Sequence, residues 1–284
     1  MNANVWRRRG FPLSQRDFEL SLDGLPSHKW PGYASIMRSH SSREQGFSLM
    51  ELLVVMAVVA LLAALLLVAL SSAKARARRT GCMNNLRQIN LGLRMYCDDH
   101  SDKTPAVGTI TVVNYKQAMK SYVGLNGPSS PQDKVFACPS DTFYIDESSG
   151  TYVPKAHHLQ PAYDFSSYAF NGLNLFTNFP AKQFGVVLPG IAGLGFSSVK
   201  APTKTVLIAE WAALLPYSWH QPRKPGVGEP PIFSNSPNMI SFVDGHVNYI
   251  KMYWNSALQY PNGSHSLACF YDPPAGYDYK WSSN

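Results

Sequence analysis

The strongest constraint in this sequence is an apolar run of 19 residues that begins at Leu52, ends at Leu70 and contains no polar side chain. As an α-helix with a rise of 1.5 Å per residue, such a run is roughly 30 Å long, which matches the hydrocarbon thickness of a bilayer. The mean hydropathy of the whole chain is only −0.15, because the rest of the sequence is polar enough to hide this block. The run predicts a transmembrane segment and excludes a wholly soluble chain unless the block is removed.

The net charge of +7 comes almost entirely from residues 1–79 and does not indicate a nucleic-acid surface. Four basic side chains follow the apolar run: Lys74, Arg76, Arg78 and Arg79. Lipid headgroups are their expected surroundings. The residues after 79 carry almost no net charge, so no basic face remains there to follow a phosphate backbone. We therefore expect a lipid bilayer as a partner and no nucleic acid.

A long helix is expected around and beyond the apolar run, because no proline lies between Pro31 and Pro105 and proline interrupts helices. After the run, apolar side chains recur every three or four residues, at Cys82, Leu86, Ile89, Leu93, Tyr96 and Cys97. That spacing predicts one buried helix face. The other faces would carry Asn84, Arg87, Asn90 and Arg94. We predict a single helix from Phe47 to about Cys97.

Beyond Pro105 the sequence is rich in proline, glycine, serine and aromatic residues, with short runs typical of β-strands. The clearest runs are residues 109–113, 205–208 and 240–243. In segment 240–250, Asp244-Gly245 lies between two alternating runs, which predicts a hairpin with a type I′ turn. The expected fold class is α+β, with a long N-terminal helix that spans the membrane in its first half and packs on a small antiparallel sheet in its second.

The residues just before the apolar run form a specific motif, Gly46-Phe47-Ser48-Leu49-Met50-Glu51. A charged side chain within a membrane helix costs about 2.5–3.5 kcal/mol on insertion scales, so Glu51 needs a particular reason to be there. The segment resembles the prepilin-type cleavage and methylation segment of type IV pilins and type II secretion pseudopilins. In that family a basic leader precedes Gly, Phe, Ser or Thr, Leu, any residue and Glu, and every position is matched here.

The resemblance implies that a prepilin peptidase cleaves between Gly46 and Phe47 and methylates the new α-amine. It implies a pilin-like structural subunit that assembles with other pilin or pseudopilin subunits, on an inner-membrane assembly platform, into a type IV pilus-like or type II secretion filament. Glu51 would then pair with the α-amine of Phe47, on its own helix or on a neighbouring subunit. An ordinary signal anchor or a cleaved signal peptide is the alternative, although the apolar region of a signal peptide is only ~7–15 residues long.

The predicted organisation has four segments. Residues 1–46 are a cleaved cytoplasmic leader, residues 47–71 the transmembrane helix, residues 72–100 its amphipathic continuation, and residues 101–284 a β-rich globular part. The resemblance implies an inner-membrane protein with one span, whose globular part lies in the periplasm or on a surface filament. The excess of basic residues after the span favours the opposite orientation. The resemblance outweighs it, because processing in that family requires a cytoplasmic leader.

Met37 would by itself start a ten-residue basic leader that ends at Gly46. Residues 1–36 contain scattered charges and three prolines and show no apolar periodicity, which is typical of a disordered tail. We expect translation to start at Met37 or residues 1–36 to be dispensable. The competing interpretation is a cytoplasmic extension that docks an assembly partner through residues 6–11 or Trp30.

A second resemblance covers the C-terminal part. Three segments are similar to the pilin-like family with a C-terminal H-x(9)-D-G segment: the one that starts at Cys82, Cys138-Pro-Ser-Asp, and residues 167–171. The terminal segment of that family is similar to the residues around Asp244, Gly245 and His246. The position ten before Asp244 is Ser234 rather than histidine, so no role is carried over for it.

The four cysteines are candidates for disulfides if they face an oxidising compartment. Cys82 and Cys97 are about 22 Å apart along one helix and cannot bond to each other. The remaining pairings are Cys82–Cys138 with Cys97–Cys269, or Cys82–Cys269 with Cys97–Cys138. The family with the C-terminal H-x(9)-D-G segment carries cysteines at the places of Cys82 and Cys138, which favours that pair. Free buried thiols are the alternative.

The sequence has no pattern typical of an enzyme, such as H-E-x-x-H, G-x-S-x-G or a Walker loop, so we expect no catalytic residues and no cofactor. Turn chemistry explains Asp244 beside His246 without catalysis. No metal is expected, because no two cysteines have zinc-ligand spacing. Asp98, Asp99 and Asp102 are typical of a solvated helix end, and a calcium site is the alternative for them. The alternative function is a membrane-anchored periplasmic protein that binds a ligand or carbohydrate and does not polymerise.

Overall fold

The computed structural model describes residues 46–106, 111–146, 151–175, 190–215, 217–223, 233–254 and 271–284. The expectations for Met37 and for residues 1–36 lie outside the described residues, as does Cys269.

The first helix, α1, is Leu49–Asp99 and has 51 residues. The helix predicted from Phe47 to about Cys97 is therefore present, shifted by two residues at each end. At its C-terminus the carbonyl of Cys97 accepts the backbone N–H groups of His100 at 3.0 Å and Asp102 at 2.9 Å. Ser101 and Asp102 have positive φ values of 56° and 63°, which a right-handed helix cannot contain, so α1 ends there.

The first part of α1 has its side chains exposed all round. Every residue from 49 to 78 is exposed, and the apolar residues 52–70 are included. Among the described helices, α1 alone is long and apolar enough to cross a membrane. An apolar surface of this extent needs an apolar partner beyond the residues that the structure describes.

The second part of α1 buries the predicted stripe. Cys82, Leu86, Ile89 and Leu93 are fully buried, Cys97 is 1% exposed, and Tyr96 is half-buried. The prediction that Asn90 lies on an outer face is wrong: its Nδ2 donates to Ser241 Oγ at 2.5 Å and to the Phe242 carbonyl at 2.8 Å. The buried face is wider than the apolar stripe, and an amide is tolerated there because its hydrogen bonds are made.

Two antiparallel sheets follow α1, which confirms the α+β class. The smaller sheet pairs β1 (Tyr144–Ile145) with β2 (Tyr152–Val153). The larger sheet has the order β3-β4-β5-β6. Its strands are Tyr168–Phe170, Val206–Glu210, Ser236–Phe242 and Val247–Met252. The predicted strands at residues 205–208 and 240–243 correspond to β4 and to the end of β5.

The predicted strand at residues 109–113 is wrong over its described part, because Thr111–Met119 form a second helix, α2. Val112, Tyr115 and Met119 are buried at the three- and four-residue spacing of a helix face. Their contacts with the core therefore favour a helix, although β-branched residues by themselves favour a strand. The helices approach closely: a Cβ on Gly92 of α1 would lie 2.9 Å from Met119 Cε and 2.7 Å from Val123 Cγ1.

The connections between these elements contain short 3₁₀ helices. They are Lys120–Val123, Lys134–Phe136, His157–Leu159, Pro161–Tyr163, Leu173–Leu175, Phe196–Ser198 and Trp211–Ala213.

The hairpin between β5 and β6 is present, but its turn is not the predicted type I′. A type I′ turn needs positive φ at both central residues. Here only Gly245 has one, at 104°, while Val243 and Asp244 do not. The Gly245 N–H donates to the Phe242 carbonyl at 3.0 Å, and the Phe242 N–H donates to the His246 carbonyl at 2.9 Å. The loop therefore has three residues, with glycine at the left-handed position.

Candidate functional site

The segment that the sequence predicts as a processing site lies at the start of α1. Gly46, Phe47 and Ser48 precede the helix, and all the residues from Gly46 to Glu51 are exposed. The Phe47 side chain is 76% exposed. The Gly46–Phe47 peptide bond is thus outside the helical hydrogen-bond ladder and accessible to a protease.

Ser48 and Glu51 cap the N-terminus of α1 reciprocally. The Ser48 N–H donates to Glu51 Oε2 at 2.9 Å, and the Glu51 N–H donates to Ser48 Oγ at 3.1 Å. This is the capping box of a Ser-x-x-Glu sequence, which satisfies two N–H groups that the helix itself cannot. This cap was not predicted, although the Ser-x-x-Glu spacing that encodes it is visible in the sequence. The negative charge of the Glu51 carboxylate also interacts favourably with the positive end of the helix dipole.

Nothing in the surroundings of Gly46 requires a glycine. A Cβ at this position would meet no atom within 4 Å, and its φ is not in the left-handed region. No contact among the described residues therefore explains why position 46 is a glycine. A protease that must fit the scissile bond into its site would be a reason for it.

Cys82 and Cys138 form a disulfide that joins the second part of α1 to the segment after Lys134–Phe136. Cys97 is buried and unbonded among the described residues, and Cys269, to which one pairing assigned it, lies outside them. Burial raises the pKa of the Cys97 thiol to about 12, and the charges of Asp102 and Asp98 add to the effect. Cys97 is therefore an inert thiol in the core.

The motif Asp244-Gly245-His246 lies at the β5–β6 turn, next to α1. The Arg94 guanidinium donates to the Val243 carbonyl, and a Cβ on Gly245 would lie 3.5 Å from Arg94. Asp244 Oδ1 accepts the His246 N–H at 3.1 Å and lies 2.6 Å from His246 Nδ1. The turn and its contact with α1 account for these residues, and the motif serves to dock the hairpin on the helix.

The acidic residues after α1 also make structural contacts. Asp102 Oδ2 accepts the N–H of Ser197 at 3.0 Å and its hydroxyl at 2.5 Å, and Asp99 Oδ2 accepts the Tyr122 hydroxyl at 2.9 Å. The hydrogen bonds from Ser197 lower the pKa of Asp102. The helix end is thus tied to other parts of the chain rather than only solvated.

Buried charge is concentrated in a group that sequence reasoning missed. Lys116 and Lys120 are 0% and 3% exposed, and their Nζ atoms lie 3.1 Å and 2.9 Å from Asp133 Oδ2. Lys116 Nζ also donates to the carbonyl of Asp164 at 2.8 Å. Burial lowers the pKa of Lys116. Lysines in a short helix give no sequence signal for this, because they are usually solvated.

Comparison with known proteins identifies one segment. Residues 41–67 match the family model described as the prokaryotic N-terminal methylation motif. No curated protein and no solved structure matches the chain. The match contains the capped helix start and most of the apolar run, and it does not extend to the Asp244-Gly245 segment. The matched motif indicates processing by a prepilin peptidase, as in pilin- and pseudopilin-type proteins, at the start of a described helix that is long and apolar enough to cross a membrane.

Proposed function

We propose that this protein is a structural subunit of a type IV pilus-like or type II secretion filament. A prepilin peptidase cuts between Gly46 and Phe47, removes the leader and methylates the amine of Phe47. Residues 47–71 anchor the processed chain in the inner membrane until an inner-membrane platform assembles it with other pilin or pseudopilin subunits.

The observation that carries this proposal is the combination at the start of α1. An exposed Gly46–Phe47 bond outside the helix is followed by a capped helix start and then by apolar side chains exposed all round the helix. The matched motif covers the first two features and most of the third. Lipid covers such a surface before assembly, and the apolar helices of neighbouring subunits would cover it afterwards.

The proposed orientation places the leader in the cytoplasm and residues 101–284 in the periplasm. The buried disulfide between Cys82 and Cys138 supports it, because disulfides persist in oxidising compartments. Two aromatic residues near the C-terminus that a carbohydrate could have contacted, Tyr279 and Trp281, are buried in the core, which argues against the ligand-binding alternative at these positions.

The mass of the mature N-terminus tests the processing step. In a host with a prepilin peptidase, we expect a chain that starts at methylated Phe47. The variant Gly46→Val should keep residues before Phe47, because a side chain crowds the scissile bond for the peptidase while the chain itself has room for it. An intact leader on the wild-type chain would instead show a plain membrane anchor.

A pair of variants tests the role of Glu51 in assembly. Glu51→Gln keeps a cap acceptor and removes the charge, whereas Ser48→Ala removes one cap hydrogen bond and keeps the charge. We expect both to be processed and inserted, and only Glu51→Gln to lose assembly, because unpairing a buried amine costs about 3–5 kcal/mol. Subunits recovered in sheared or cross-linked filaments measure this.

Normal assembly of Glu51→Gln would contradict the pairing between Glu51 and the Phe47 amine. Loss of assembly in Ser48→Ala together with normal assembly of Glu51→Gln would assign Glu51 to helix capping instead. The N-terminal mass of each variant shows whether a defect arises before assembly.

A further inference from the structure

A buried carboxylate and an imidazole converge on the Cys82–Cys138 disulfide. Glu210, the last residue of β4, is fully buried. Its Oε1 lies 2.8 Å from His220 Nε2 and 3.2 Å from Cys138 Sγ, and its Oε2 accepts the Met239 N–H at 2.9 Å. The four ligand atoms of Cys82, Cys138, Glu210 and His220 all lie within 4.8 Å of one another.

The contact between Glu210 and Cys138 has no hydrogen bond in the disulfide form, because a disulfide sulfur carries no proton. The buried carboxylate is therefore compensated by His220 at Oε1 and by the Met239 N–H at Oε2, and the sulfur atom beside Oε1 adds no hydrogen bond. Buried charges in proteins are paired or coordinate metals. In the dithiol form the same oxygen and both sulfurs could share one cation.

The set of atoms suits a tetrahedral zinc ion. Zinc takes thiolate sulfur at about 2.3 Å and imidazole nitrogen or carboxylate oxygen at about 2.0–2.2 Å, so its ligand atoms are roughly 3.3–3.8 Å apart. Glu210 Oε1 lies 2.8 Å from His220 Nε2 and 3.2 Å from Cys138 Sγ, so the ligand atoms would have to move apart by a few tenths of an ångström and the sulfur–sulfur bond would have to open. Outer contacts also exist, since the N–H of Ser140 lies 3.4 Å from Cys138 Sγ and the Met239 N–H holds the second Glu210 oxygen.

We propose that the reduced protein holds a zinc site made of Cys82, Cys138, Glu210 and His220, and that zinc and the disulfide exclude each other. A two-electron reductant such as a dithiol or a phosphine, together with two protons, opens the disulfide to two thiols, and one Zn²⁺ then binds while both thiol protons leave. The spacing of cysteines along the chain did not predict the site, because its ligands come from four separate segments.

The second buried pair of a histidine and a carboxylate provides a control. His158 Nδ1 lies 2.9 Å from Asp141 Oδ2. The Asp141 oxygens are already saturated by donors, which are the N–H groups of His157 and His158 and the Ser167 hydroxyl. The metal-ligating group found among the described residues does not include this pair.

The test uses the full chain in detergent, with Cys97→Ser and Cys269→Ser so that only two thiols remain. A phosphine reductant opens the disulfide, and water supplies the oxygen of the phosphine oxide that forms. After removal of free metal, elemental analysis should find one Zn²⁺ per reduced chain and none in the oxidised chain. With Co²⁺ in place of Zn²⁺, the reduced chain should show the visible bands of tetrahedral cobalt and a sulfur-to-metal charge-transfer band.

Variants connect the ion to the side chains. His220→Gln and Glu210→Gln should each weaken binding of Zn²⁺ at least about tenfold. Loss of a residue that only hydrogen-bonds a metal ligand already costs about that much, and loss of a ligand itself should cost no less. His158→Gln should bind as the parent chain does. Three results would each overturn the proposal. They are the absence of a bound ion in the reduced chain, binding that survives in the oxidised chain, and equal affinity in His220→Gln and His158→Gln. Zinc binding is measured without assembly, so its failure and that of the proposed function are separate results.

Discussion

The two parts of α1 use their apolar side chains in opposite ways. Residues 52–70 are apolar throughout and are all exposed. The later stripe from Cys82 to Cys97 alternates with polar residues, and its main members are buried. Burial within the chain therefore follows the spacing of apolar residues on one face and not their number. A helix that is apolar on all faces can satisfy them only against lipid or other chains.

The largest expected effect comes from shortening one side chain in the buried stripe. Leu86→Ala should lower the free energy of unfolding of the globular part by about 2–5 kcal/mol, because it leaves a cavity where Leu86 is fully buried. The matched variant Leu65→Ala, at a position 65% exposed, should change it by no more than about 0.5 kcal/mol. Tryptophan fluorescence of the full chain in detergent during urea unfolding measures both. Similar losses in the two variants would contradict the contrast.

The next effect depends on pH, which cannot act through residues 52–70 because none of them titrates. Burial lowers the pKa of His157 to about 4, from 6.5 in an unfolded chain, against the opposing effects of Asp141 and the Ser166 carbonyl. Between these two values the unfolded state binds more protons, so stability present above pH 6.5 is lost as the pH falls toward 4. The loss should approach about 3 kcal/mol at the end of that range.

The variant His157→Phe isolates that contribution. It keeps an aromatic ring between Tyr163 and Trp211, whose ring centres lie 4.2 Å and 4.7 Å from the imidazole, and it removes the titration. Urea unfolding at pH 7 and near pH 4.5 should show a smaller loss of stability in the variant than in the wild type. Equal losses would show that other groups carry the acid sensitivity.

The smallest of these effects concerns the polar member of the buried face. Asn90→Ala should cost about 1–3 kcal/mol, because Ser241 Oγ and the Phe242 carbonyl lose their partner in a buried place. The matched variant Asn84→Ala, on an exposed face of the same helix, should stay within about 0.5 kcal/mol. The same unfolding measurement applies. An unchanged Asn90→Ala would mean that water replaces the amide at the hairpin.

The features that could be read from the sequence are those encoded by neighbouring residues. The apolar run, the absence of proline and the three- and four-residue spacing predicted α1 to within two residues at each end, because helix formation depends on contacts three and four residues apart. The motif from Gly46 to Glu51 is likewise local, and it predicted the segment that the methylation motif matches. The capping box of Ser48 and Glu51 could have been predicted by the same reasoning.

The features that only the tertiary structure decided depend on residues far apart in the chain. Residues 111–113 are helical because the side chains of Val112 and Val113 meet the core, although their local preference is for a strand. Asn90 is buried because the β5–β6 hairpin supplies its acceptors, and Glu210 meets His220 and Cys138 only after three distant segments have packed together. Local spacing determined the long apolar helix, the motif at its start and the buried stripe. Packing determined which polar groups became buried neighbours, because sequence spacing carries no information on contacts between distant segments.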